Sequence, residues 1–130
     1  MSTIFVCGGR NFTDHMQLYA ALDDLHACHH FTRLIDGGSR GADAMAHNWA
    51  VSRKVPCKMY PALWNVHGRS AGPIRNQQML DEGKPDLVVA FAGGNGTADM
   101  VRRAKAAGIK VLEIPARSLS NPQPPKDKAP

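Results

Sequence analysis

The chain has 130 residues, 43% hydrophobic and 21% charged, enough to bury one core and too apolar for a disordered chain. Its net charge of +5 overstates the body: the terminal stretch 115–130 holds Arg117, Lys126 and Lys128 against Asp127, leaving only +3 before it. Charge on that scale bears on solubility and encounter and does not by itself name a partner. No apolar run approaches the ~18–20 residues that cross a bilayer, so no membrane span is expected. The opening Met1-Ser2-Thr3-Ile4-Phe5-Val6-Cys7 lacks the basic region and long apolar stretch of a secretory signal, making the cytoplasm the expected location. Cys7, Cys28 and Cys57 are an odd count without paired spacing, expected as reduced, small buried or half-buried hydrophobes.

In chain order, short β-branched runs alternate with segments of helical period, the pattern of βα units and a parallel sheet. The first strand is predicted at 3–7 and the first helix at about 14–29, capped by Thr13 or Asp14, with Met16, Leu18, Ala21, Leu22 and Leu25 as its inward stripe. A second strand at 33–36 precedes a helix at about 42–53 offering Ala42, Met45, Ala46, Trp49 and Ala50 to the core. A third strand at 56–60 is followed by a loop holding Pro61, Trp64 and Gly68, then by a helix at about 72–80 with Pro73 in its first turn. The continuous apolar run 87–91 reads as a central strand covered on both faces. A helix at about 97–107, stopped by Gly108, leads to the last strand at 110–114. The fold class is therefore α/β: a Rossmann-like three-layer sandwich around a five-stranded parallel sheet, order 3-2-1-4-5. Residues 1–115 form the domain, and 116–130, rich in Ser, Asn, Pro and Lys without apolar period, read as a flexible tail.

Three strands run into glycine pairs: Gly8-Gly9-Arg10, Gly37-Gly38-Ser39-Arg40-Gly41 and Gly93-Gly94-Asn95-Gly96-Thr97. In a parallel sheet all three turns fall on one edge, where open α/β sheets bind ligands. Glycine lets backbone amides approach an anion, and each following helix adds free N–H groups and a positive dipole end, worth roughly 0.3–2 kcal/mol per favourable charge. Arg10, Arg40, Arg69 and Arg75 and the acids Asp14, Asp36, Asp43 and Asp99 should share that edge, supplying a phosphate clamp and polar contacts to a sugar. Neither G-x-G-x-x-G nor GxxxxGK[ST] occurs, which counts against ordinary NAD dehydrogenases and P-loop NTPases. His26 and His30 lie one turn apart near a helix end, away from the glycine edge, and no complete metal-ligand set stands at familiar spacing. Trp64 and Tyr60 fit either base stacking or core packing.

The wording and order of four motifs, Gly8-Gly9-Arg10-Asn11-Phe12, Gly37-Gly38-Ser39-Arg40-Gly41-Ala42-Asp43, His67-Gly68-Arg69-Ser70-Ala71-Gly72-Pro73-Ile74-Arg75-Asn76 and Gly93-Gly94-Asn95-Gly96-Thr97-Ala98-Asp99-Met100, resemble the YspA/YpsA-related branch of the SLOG superfamily. The resemblance covers residues 3 to about 114. It implies a Rossmann-like domain that binds a nucleotide or nucleotide-derived ligand through Gly8, Gly9, Arg10, Asn11, Gly37, Gly38, Ser39, Arg40, Gly41, Asp43, His67, Arg69, Asn76, Gly93, Gly94, Asn95, Gly96 and Thr97. No cofactor or metal is called for. It also implies kinship with the LOG phosphoribohydrolases, whose signature P-G-G-x-G-T-x-x-E follows an Arg-Lys-x-x-Met element. Gly93, Gly94, Gly96, Thr97, Arg75 and Met79 match that pattern, while Ala92 replaces the proline, Asn76 the lysine and Met100 the glutamate.

A carboxylate that steadies an oxocarbenium-like sugar or activates water is typically worth ~10²–10⁴ in rate, so losing the glutamate weakens the case for hydrolysis. An enzyme cleaving the N-glycosidic bond of a nucleotide would use Arg75 to orient the phosphosugar and Asp99 as the substitute acid. A third reading, single-stranded nucleic-acid binding, has little support, because the body is weakly charged and no aromatic series is interleaved with basic residues. The relatives suggest a homodimer through helix faces, with no residue here that establishes it.

Overall fold

The computed structural model describes residues 2–116. The tail expected at 116–130 therefore lies outside the described residues apart from Ala116. Five strands, β1 (Thr3–Cys7), β2 (Arg33–Asp36), β3 (Cys57–Met59), β4 (Leu87–Ala90) and β5 (Lys110–Glu113), form one all-parallel sheet in the order β3-β2-β1-β4-β5. The helices are α1 (His15–His29), α2 (Ala42–Ser52), the single turn α3 (Trp64–His67), α4 (Ala71–Gly83) and α5 (Asn95–Ala106).

Alternation along the strands divides the core. Ile4 and Val6 of β1 and Leu34 of β2 face the layer of α1 and α2, with Leu18, Leu22 and the fully buried Trp49 against them. Phe5, Cys7 and Ile35 point the other way onto α4 and α5, where Met79, Met100 and Ala104 meet them. β4 is buried along its whole length, as its unbroken apolar run requires of a strand covered on both faces. Among the described residues no helix is long and apolar enough to cross a membrane.

The differences from the sequence expectation are local. Asp14 is the α1 cap, its carboxylate accepting the Gln17 amide at 3.1 Å, but Met16, in the first turn of α1, is 76% exposed rather than inward. The segment expected to be loop before α4 winds instead into α3 and a 3-10 turn, Gly68–Ser70. Helix α4 runs on to Gly83, and the left-handed residue that ends it is Lys84, with φ of 46°. Helix α5 starts at Asn95, two residues early, since glycine there costs little in a first turn whose amides lack partners anyway. Of the cysteines, Cys7 is buried and Cys57 half-buried, while Cys28 is exposed on the outer side of α1.

Candidate functional site

The turns leaving β1, β2 and β4 touch one another. The Gly9 amide donates to the Ala92 carbonyl at 2.9 Å, while the Gly9 carbonyl accepts the amides of Phe12 and Ala42, each at 3.2 Å. A side chain at Gly9 would bring its Cβ to 3.0 Å from the Ala92 oxygen and from Gly93 Cα, both backbone. Gly41, with φ of 79°, would collide with the carbonyls of Gly9 and Arg10. Glycine is therefore required where the three turns are pressed together.

Their amides are spent differently. In the β2 turn the Gly38 amide donates to Asp36 Oδ1 at 2.7 Å, the Ser39 amide to Asp43 Oδ2 at 3.2 Å, and the Ala42 amide to Gly9. Three amides of a turn expected to face an anion are thus satisfied within the protein. The β4 turn differs: Gly94 caps α5 without a side-chain bond, and the first intrahelical bond is Ala98 to Gly94 at 3.0 Å. The amides of Asn95, Gly96 and Thr97 precede it, and a Cβ on Gly94 or Gly96 would meet nothing within 4 Å.

This turn faces a cavity of about 1330 Å³. Gly8, Gly9, Arg10, Asn11, Gly37, Ser39, Asp43, Arg69, Arg75, Asn76, the stretch Gly93 to Thr97 and Asp99 all line it, over an apolar floor of Phe5, Met79 and Met100. A smaller cavity of about 380 Å³ adjoins it, sharing Arg10, Gly37, Ser39, Trp64 and Arg75 and adding Gly38 and Arg40. Gly41 and His67, both expected at the site, line neither cavity: Gly41 packs behind the β1 turn, and His67 is exposed at the end of α3. Arg102 was missed, although a helix places a residue three positions after Asp99 on the same face.

The buried and half-buried polar groups form two sets. Arg75 reaches from α4 toward the sheet, where Nη1 donates to the Gly37 carbonyl at 2.7 Å and, at 3.5 Å, to that of Tyr60, while Nε donates to Asn76 at 3.1 Å. Burial lowers the guanidinium pKa. Beside it, burial, reinforced by the Asp36 carboxylate, pushes the Asp43 carboxyl up to about 7 against the hydrogen bonds from Ser39 and Gly37 and the charge of Arg75. Asp36 is also raised by burial, and its Oδ2 has no hydrogen-bond partner, the nearest cation-forming group being His47 Nδ1 at 3.9 Å. Burial likewise pushes the Cys7 thiol up to about 12, so it stays protonated.

The second set centres on Asp99, in the second turn of α5. Its Oδ2 accepts Asn76 Nδ2 at 3.0 Å and Arg103 Nε at 2.8 Å, and its Oδ1 pairs with Arg102. Burial raises its pKa, but these donors outweigh that and leave it below the usual carboxylate range. Both oxygens are thus occupied: Oδ2 ties α5 to α4 through Asn76, and Oδ1 is paired within α5 itself. Met100, at the position of the LOG glutamate, is 1% exposed and packs into the α4/α5 core.

Other sequence candidates belong to the framework. Tyr60 is buried, with Lys58 Nζ 5.0 Å from its ring centroid. His26 Nδ1 accepts the Phe31 amide at 3.0 Å and stands edge-on to Trp49. Among the described residues no group of His, Cys, Asp or Glu is arranged to hold a metal ion.

Three comparisons bear on kinship. The chain is similar to the crystal structure of MurG from Acinetobacter baumannii, with a TM-score of 0.59 at 12% identity over 93% of this chain and 37% of the MurG chain. That likeness is one of fold, and the chain spans little more than a third of MurG. It is 34% identical to the Gene 61 protein of Mycobacterium phage D29 over 122 residues, which is 88% of this chain and 97% of the relative. The model of the YspA, cpYpsA-related SLOG family matches residues 3–67, a stretch that carries the first two glycine turns and Asp43, and the chain belongs to that family.

Proposed function

We propose that the cleft binds a nucleotide-derived ligand whose phosphate rests on the open amides of the β4 turn. The observation that carries this reading is the Gly93-Gly94-Asn95-Gly96-Thr97 turn, uncapped by any side chain and facing a cavity of about 1330 Å³. Free first-turn amides and the helix dipole favour an anion, and Arg69 and Arg102, which line the same cavity, add positive charge. The half-buried Arg75 has a different part: it fixes the β2 turn through the Gly37 carbonyl and so shapes the cavity. Membership of the SLOG family supports a nucleotide-related ligand.

Isothermal titration with AMP, ADP-ribose and cyclic nucleotides tests this reading. Binding by at least one, weakened by Gly94→Val, is the expected result, because the Val side chain would stand in the open space where the anion sits. No binding across the panel overturns it.

A further inference from the structure

Resting on that reading, we propose that Trp64 is the platform on which the cleft stacks the ligand's base. Helix α3 buries none of its residues, and the Trp64 indole is 48% exposed at the rim between the two cavities, lining both. The Arg10 guanidinium lies 5.8 Å from the centroid of its ring, so the electron-rich face is reachable and already attracts a planar cation. The Cη2 edge of the ring lies near Gly72, where a Cβ would come no closer than 3.5 Å. The indole thus approaches Gly72 at one edge and is reachable at its face.

A heteroaromatic base has the same planar shape as the guanidinium and a larger apolar face. Stacked on Trp64, it would bury indole surface that now meets water, and Arg10, on its flexible stem, would fold over the base. Purines should be favoured over pyrimidines because their ring system covers more of the indole. Tyr60, the other aromatic candidate, is 4% exposed and has no such face to offer. The base end at α3 and the phosphate end at α5 then give the ligand an orientation across the cavity.

The test compares AMP with ribose 5-phosphate, which carries the same phosphosugar without a base. Of the two tryptophans, Trp49 is fully buried, so AMP should quench the emission of the exposed Trp64. Quenching should persist in Trp49→Phe and vanish in Trp64→Phe. By titration calorimetry Trp64→Ala should bind AMP about tenfold more weakly, with ribose 5-phosphate unchanged and Trp64→Phe in between.

Equal loss for both probes in Trp64→Ala, or wild-type binding of AMP no tighter than that of ribose 5-phosphate, overturns the base platform while leaving the phosphate seat standing. Failure of both probes to bind the wild type overturns the platform and the phosphate seat together. Because Trp64 is half exposed on a helix that buries nothing, its substitution should leave the fold intact, which circular dichroism checks.

Discussion

Asp43 Oδ2 accepts the Ser39 amide at 3.2 Å, so the acceptor at the start of α2 is one that the protein supplies itself. A carboxyl two residues into the helix fills the place that a phosphate would otherwise take. The cleft is polarised as a result, with a titratable acid on the α2 wall and unpaired amides on the α5 wall.

The first prediction concerns that acid. Burial raises the Asp43 pKa from 3.8 to about 7, so between those values the native state holds a proton that the unfolded chain releases. Stability therefore falls as pH rises through this window, and the penalty is complete above the folded value. At 1.36 kcal/mol per pH unit, roughly 3 kcal/mol should be lost between about pH 5 and pH 8.5. Asp43→Asn stays neutral and still accepts the Ser39 amide, so its stability should vary less by about that amount. Urea denaturation of both proteins at the two pH values measures the difference, and parallel behaviour would place the titrating group elsewhere.

A second prediction separates the glycines that close the turns from the one that leaves a seat open. Gly9→Ala sets a Cβ 3.0 Å from two backbone atoms that cannot yield cheaply, and should cost on the order of 1–3 kcal/mol. Gly96→Ala meets no atom within 4 Å and replaces a poor helix former in the first turn of α5. Its melting temperature should hold or rise, consistent with a helix preference of up to about 1 kcal/mol. AMP affinity should nevertheless fall, because the new methyl group stands over the amide turn. Thermal melts beside calorimetric titrations check both halves, and unchanged affinity in Gly96→Ala would move the anion away from this turn.

The convergence of the turns was legible in the sequence because it follows from topology: parallel strands deliver their following turns to one edge, and the glycine pairs after β1, β2 and β4 mark it. Which turn keeps its amides free was not legible. It depends on Asp43 reaching back to Ser39 and on the Ala42 amide finding the Gly9 carbonyl, contacts set by how the turns pack. Arg75 stood out by its motif, yet its direction, toward the Gly37 carbonyl rather than into solvent, comes from burial beside β2. The placement of His67 was not legible for a related reason, since the winding of residues 64–67 into α3 leaves it exposed outside both cavities.

The last prediction concerns Asp99, the acid that hydrolysis of an N-glycosidic bond would require. Starting α5 at Asn95 puts Asp99 in the second turn, where it receives Asn76 and Arg103 on one oxygen and Arg102 on the other. Asp99→Ala strips a partner from the buried Asn76 and releases two cations, and should cost about 1–3 kcal/mol near pH 7. Its pKa lies below the ordinary value, so this stabilisation is present above the unfolded pKa and is lost as pH falls through the folded one. The gap between wild type and Asp99→Ala should therefore close on acidification. Chromatography after incubation with AMP supplies the chemical half of the test: Asp99→Asn should leave the yield of free adenine as it is in the wild type. Adenine release that disappears in a folded Asp99→Asn protein would instead make this carboxylate a catalytic group.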